Sequence, residues 1–190
     1  MAGGFMRRIF VILVAMLLAC TLTAFAGEQA PKAVYDLANG ELALHGQDPI
    51  IVGAVKTQNA EGKTLADIKA MDEKWRADSG LKDYMKALMD NDCAKHLRSI
   101  QEAKPYYSEI FVMDNQGANV CQTDKTSDYW QGDEAKFQKS FTGGTGAIFV
   151  DEVEFDDSAQ TYLVQVSVPV MNEGVAIGAI TFGINVDALK

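Results

Sequence analysis

Between residues 31 and 104 the apolar positions recur every three or four residues, the spacing that gives a helix one buried stripe. Asp48-Pro49 pairs an N-cap acceptor with a proline suited to a first helical position, and Ile51, Val52 and Val55 then share a face. Thr64 and Asp67 have capping-box spacing. Behind them Leu65, Ile68, Met71 and Trp75 predict a helix that Ser79-Gly80 ends. Leu81, Tyr84, Met85, Leu88 and Met89 predict the next amphipathic helix, and Leu97 with Ile100 a further one. At Pro105 the period changes to that of strands, predicted over 108–113 and 118–122 around the turn Asp114-Asn115-Gln116-Gly117. A short helix over 133–141 and the cluster Gly143-Gly144-Thr145-Gly146 lead to three more strands, over 147–155, 161–170 and 175–186. Asp156-Asp157-Ser158 and Asn172-Glu173-Gly174 supply the turn chemistry between them. Helices followed by strands predict an α+β fold: one five-stranded antiparallel sheet with long N-terminal helices packed on one side.

The first 26 residues obey another rule. Arg7 and Arg8 precede an uncharged apolar run, and Ala24-Phe25-Ala26 has the small-x-small form of a signal-peptidase site. Cleavage is expected between Ala26 and Gly27, leaving 27–190 as a single domain in the periplasm. A retained anchor is the runner-up, because the run only just reaches spanning length. A lipoprotein is disfavoured: Leu17-Leu18-Ala19-Cys20 places a bulky Leu18 two before the cysteine, and no polar tether follows. With no later apolar segment long enough to span a bilayer, any signal is expected to pass through another protein.

The 190 residues carry 26 acids against 17 Lys and Arg, a net charge of −9. That balance excludes a nucleic-acid binder, which needs a basic face to displace counterions, and attachment to anionic lipid through basic residues. Enzymatic chemistry finds few supports. His45 and His96 are the two histidines. With Cys93 and Cys121 they offer four zinc donors but only one tight pair, where a closed site normally takes two. Cys93 and His96 lack an orienting group for nucleophilic catalysis. The 114–119 segment has its glycine too early, and no closing Glu, for a calcium loop. Gly143 to Gly146 is followed by neither the Lys-Ser/Thr nor the helix of a phosphate loop. No enzyme, cofactor or metal is therefore expected. Cys93 and Cys121 are either one disulfide or two buried thiols, and the sequence leaves both open.

Tyr129 and Trp130 stand as adjacent aromatics in a polar stretch, the mixture of walls and placed polar groups that ligand sites use. The plainer alternative makes Trp130 a cap on the sheet core and Tyr129 a surface ring.

Helices, then Glu109-Ile110-Phe111-Val112-Met113-Asp114-Asn115-Gln116-Gly117, a connector with Asp128-Tyr129-Trp130, Val166-Ser167-Val168-Pro169-Val170, and Ile177-Gly178-Ala179-Ile180-Thr181-Phe182-Gly183 come in an order that resembles the extracytoplasmic Cache (PDC-type, PAS-like) sensor domains. The resemblance spans 27–190 and is most specific over 108–187. It implies a PAS-like sheet whose one face, under the connector, encloses a small-molecule pocket, as in the extracytoplasmic sensors of signal transduction and chemotaxis; this sequence departs from their plan by having no membrane segment after the last strand and is expected to be a stand-alone member. Members that bind amino acids place an Arg two before the equivalent Trp for the ligand carboxylate, and an acid on the third strand for its amine. Here those positions hold Asp128 and, after Phe149, Asp151. The departure shifts the expectation toward a cationic or neutral polar metabolite, although Lys125 or Lys136 offers a positive group for a short organic acid.

The expected ligand site is thus Tyr129, Trp130 and Phe149 as walls, Asp151 as polar anchor and Asp128 as a secondary candidate, unless Asp151 and Glu152 are an ordinary solvated strand end. The expected ligand is an amine, an amino acid or a short organic acid, and the expected partner a membrane receptor or histidine kinase. The alternative is a periplasmic interaction module that docks on a membrane receptor without a ligand of its own.

Overall fold

Helices fill the first half of the chain as the 3.6-residue period predicts. The computed structural model describes residues 28–156 and 161–189; the expected signal segment and its cleavage point lie outside the described residues. α1 (Lys32–Leu37) passes through a π-helical turn, Ala38–Leu42, into α2 (Ala43–His45). α3 (Pro49–Ala60) starts at Asp48, whose carboxylate accepts from the Ile50 and Ile51 backbone N–H groups at 2.8 and 3.3 Å. α4 (Leu65–Ala77) starts at the capping box, with both reciprocal bonds between Thr64 and Asp67 present. It stops short of Gly80, whose φ of +68° is left-handed backbone that a glycine takes without a Cβ clash. α5 (Asp83–Asp90) and α6 (Asp92–Glu102) complete the helical layer.

The strands are β1 (Tyr107–Met113), β2 (Asn119–Gln122), β3 (Phe149–Asp156), β4 (Thr161–Asn172) and β5 (Val175–Asn185), with α7 (Ala135–Phe141) between β2 and β3. They form one antiparallel sheet in the order β2-β1-β5-β4-β3. The fold is α+β and PAS-like, with the long N-terminal helices on one side.

Alternation along the strands sorts the side chains. Ile110 and Val112 of β1, Val164, Val166 and Val168 of β4, and Ile180, Phe182 and Ile184 of β5 point toward the helices. There they meet Val34, Leu42, Ile51, Val55 and Leu97 in the main core. Burial of this apolar surface is the chief stabilising term, roughly 25 cal/mol per Å² removed from water. Cys93 and Cys121 are joined as a disulfide, tying the first turn of α6 to β2 across a sequence separation of 28. A loop of that length contributes about 3–4 kcal/mol in the chain-entropy model.

The opposite face is covered only in part. α7 lays Phe137 and Phe141 over Phe111, Met113 and Ala179. Beside it Ser167 and Thr181, paired in register and fully buried, share a hydroxyl–hydroxyl bond of 2.7 Å. Beyond α7 the face opens. β3 is irregular between Val150 and Val153, so that Asp151 and Glu152 bulge opposite Gln165.

Candidate functional site

The segment from Thr123 to Glu134 connects β2 to α7 and folds back along β2. Asn119 N–H donates to the Tyr129 carbonyl (3.0 Å) and Gln131 N–H to the Gly117 carbonyl (2.8 Å). This return strap separates two clefts.

The first lies between the strap and α4, has a volume of about 510 Å³, and is lined by Trp130, Asp128, Lys69, Glu73 and Arg76 among others. The groups where the strap meets α4 are matched. Asp72, almost fully buried on α4, accepts from the Tyr129 and Trp130 N–H groups at 2.9 and 3.1 Å and from Arg76 at 3.0 Å. Arg76 also reaches Asp128 at 3.5 Å. The Trp130 indole Nε1 donates to the Gln116 carbonyl (2.8 Å), and Lys69 Nζ lies 4.5 Å above the ring. Gly132 permits this fold-back: a Cβ there would come within 2.4 Å of the indole Nε1. Tyr129 is buried against Trp75, ring centroids 5.9 Å apart, in a small second core with Ile68 and Met85. Burial pushes its phenol pKa up, with Lys63 nearby pulling the other way.

The second cleft lies on the open face of the sheet, beside the start of α7, and has a volume of about 420 Å³. Glu109, Glu134, Asp151, Glu152 and Glu154 line it, with Lys136 the one cation lining it among the described residues. Lys136 pairs with Glu134 at 2.9 Å, and its Nζ lies 5.5 Å from the Phe111 ring. Gln165 Nε2 donates to Glu109 Oε1 at 3.1 Å. Gly183, paired with Glu109 across the sheet, leaves room for this arrangement, since a Cβ there would stand 2.6 Å from Glu109 Cγ.

A recess of about 100 Å³ runs under the strap, bordered by Phe111, Thr126 and Gln131, and shares Glu109, Lys136 and Gln165 with the cleft. Gln131 is 1% exposed. Its Nε2 donates to the Asp128 carbonyl (2.8 Å), while its Oε1 has no hydrogen-bond partner among the described residues. An acceptor held out of water without a donor is costly, so such a group calls for an explanation.

The five expected site residues are therefore divided. Asp151 lines the sheet-face cleft. Phe149 sits on the same face, opposite Ser167, with Lys139 Nζ 4.5 Å above its ring. Asp128 and Trp130 line the α4 cleft, and Tyr129 belongs to the core beside it. Sequence reasoning passed over Glu109, Gln165 and Gln131. For the first two a signal existed: each is a polar residue inside an apolar strand, at the alternate position that faces away from the helices. Nothing local marks Gln131, one polar residue in a polar loop. Among the described residues no group of three His, Cys, Asp or Glu side chains is placed to hold a metal ion.

No family model matches the chain, and no curated protein matches it. Solved structures do. The sensor domain of the Vibrio cholerae histidine kinase DctB is 12% identical, with a TM-score of 0.43 over 83% of this chain and 51% of that one. The ligand-binding domain of the Pseudomonas aeruginosa amino acid chemoreceptor PctC, in complex with GABA, is 12% identical, with a TM-score of 0.37 over 84% and 63%. The sensory domain of the Campylobacter jejuni chemoreceptor Tlp3 with isoleucine bound is 15% identical, with a TM-score of 0.39 over 84% and 65%. The chain thus spans between half and two thirds of the length of these domains. At such scores the likeness carries no residue role across.

Proposed function

We propose that this protein is an exported sensor module that recognises a small polar metabolite in the sheet-face cleft and acts through a separate signalling partner. The observation that carries this reading is a solvent-open cleft on the sheet face, lined by carboxylates and apolar side chains of three strands and the start of α7. Asp151 and Glu109 act as polar anchors, while Phe111 and Leu163 supply apolar surface. A volume of about 420 Å³ falls within the range of roughly 300–1,000 Å³ typical of small-molecule sites. The secretory pattern of residues 1–26 directs the domain to the periplasm. No helix among the described residues is long and apolar enough to cross a membrane. A membrane receptor or histidine kinase is the partner class that fits such a module.

A thermal-shift screen of amines, amino acids, short organic acids and neutral polyols tests the reading, because a ligand that binds the folded state raises the melting temperature by mass action. At least one class is expected to shift it in a saturable manner, with the response weakened by Asp151→Asn. A screen without a saturable shift from any class would replace this reading with that of a docking module.

A further inference from the structure

We infer that Glu41 and His45 form a proton-operated switch where the helical layer meets the sheet: below neutral pH, Glu41 exchanges the Tyr107 hydroxyl for a protonated His45. The switch is independent of which cleft takes a ligand. Its first support is the local backbone. The π-helical turn Ala38–Leu42 interrupts what would otherwise be one helix from Lys32 to His45. Such turns are rare and frequently sit at functional sites. This one holds Glu41 where it accepts from the Tyr107 hydroxyl at 2.8 Å and, more weakly, from that of Tyr106 at 3.4 Å. Tyr107 opens β1, so the carboxylate ties the helical layer to the sheet.

The second support is a ring nitrogen with unmet bonding. His45 Nε2 is buried without a partner among the described residues. Its ring rests on Phe182 of β5, as does the Tyr107 ring, with centroids 5.5 and 5.6 Å away. The charged groups that act on His45 are Glu41 of the π-helical turn, Asp48 at the start of α3 and His96 of α6. A neutral imidazole can leave Nε2 as a bare lone pair. An imidazolium carries N–H at both nitrogens, and the one at Nε2 then needs an acceptor. Asp48 is committed, since one oxygen caps α3 and the other bonds His96 Nε2 at 2.9 Å. Glu41 stands four residues before His45, the spacing and order that favour an acid–cation pair on a helix. The proton comes from solvent and stays on His45, and Glu41 remains a carboxylate throughout. The Tyr107 hydroxyl passes to that of Tyr106, whose ring lies 4.8 Å away. Burial lowers the His45 pKa, so the exchange falls below about 6.5. Two alternative pairings of one carboxylate make a bistable element that a histidine can bias.

The test is an NMR titration of the full chain from about pH 8 to pH 5, following the ring signals of His45, His96, Tyr106 and Tyr107. Circular dichroism confirms that the fold persists. The Tyr107 signals are expected to shift along the same curve as those of His45. His45→Gln loses the Tyr107 shift. Glu41→Gln loses it too and moves the His45 midpoint further down, because the carboxylate that most favours its charged form is gone. His96→Gln keeps the shift. If His45→Gln does not fold, Glu41→Gln and the coincidence of the two curves in the unaltered protein decide the point. Tyr107 signals that stay flat while His45 titrates overturn the inference. A Tyr107 shift that follows His96, or that survives both variants, overturns it as well, and so does global unfolding before His45 titrates.

Discussion

Trp130 and Gln131 are neighbours in sequence, yet Trp130 lines the α4 cleft while Gln131 borders the recess beside the sheet-face cleft, and the two clefts differ in one respect above others. Around Trp130 the strap and α4 are bonded to each other: the indole donates to Gln116, Asp72 takes two backbone N–H groups, and Arg76 spans Asp72 and Asp128. The sheet-face cleft is lined instead by β1, β3, β4 and the start of α7, with Lys136 paired to Glu134 and Gln165 to Glu109. The bonds around Trp130 make that concavity a joint that holds the strap on α4. The sheet-face cleft holds no such joint, and it is the concavity proposed to take the ligand. Volume does not separate them, since the joint is the larger at about 510 Å³ against 420 Å³.

The largest expected effect lies at the joint. Trp75 is fully buried, packs on Tyr129, and donates from its indole to the Thr126 carbonyl at 2.9 Å. Trp75→Ala is expected to cost about 3–5 kcal/mol in urea unfolding, the range for a large ring removed from a core. A cost below about 1 kcal/mol would mean that the strap does not rest on α4.

Asp72→Ala comes next. It leaves the Tyr129 and Trp130 N–H groups without their acceptor, and about 1–3 kcal/mol of stability should be lost. Asp72→Asn, which keeps an acceptor oxygen, should fall between the variant and the parent. Equal midpoints for all three proteins would contradict the assignment of this cleft as a structural joint.

The smallest effect concerns a buried ring nitrogen that lines neither cleft. His45 Nε2 has no partner among the described residues, and its ring lies 5.5 Å from Phe182. Burial lowers the His45 pKa, with Glu41 and Asp48 pulling partly back. A group whose folded pKa is depressed favours folding above its unfolded value of about 6.5 and loses that contribution as pH falls through the folded value. Stability should therefore decline modestly as pH drops below about 6.5, and His45→Gln should flatten that slope. A slope unchanged in the variant would show that His45 is not the group responsible.

The fold was largely legible because it depends on repetition. Ile68 and Trp75 at helical spacing, the Asp48 and Thr64 caps, and the alternation of Val164, Val166 and Val168 each report local geometry, and the elements follow within a few residues. Strand ends differ, with β4 running two residues further to Asn172, because hairpin pairing with β5 extends strands past their apolar part. The site was legible only in pieces. Asp151 stands in the sheet-face cleft, while Trp130 turns to α4 through a bond to Gln116 that no periodicity foretells. Glu109 meets Gln165 across a sequence separation of 56, and the folding back of the strap brings Gln131 to the same recess. The Cys93–Cys121 bridge likewise needed the packing of α6 on β2 before its two readings could be told apart.

The contrast between the clefts is tested most directly by backbone amide NMR of the labelled protein titrated with the strongest hit of the thermal-shift screen. Shifts concentrated at Glu109, Lys136, Asp151 and Gln165 are the predicted result. Shifts confined to Lys69, Asp72, Arg76 and Trp130 would place binding in the joint and contradict the account.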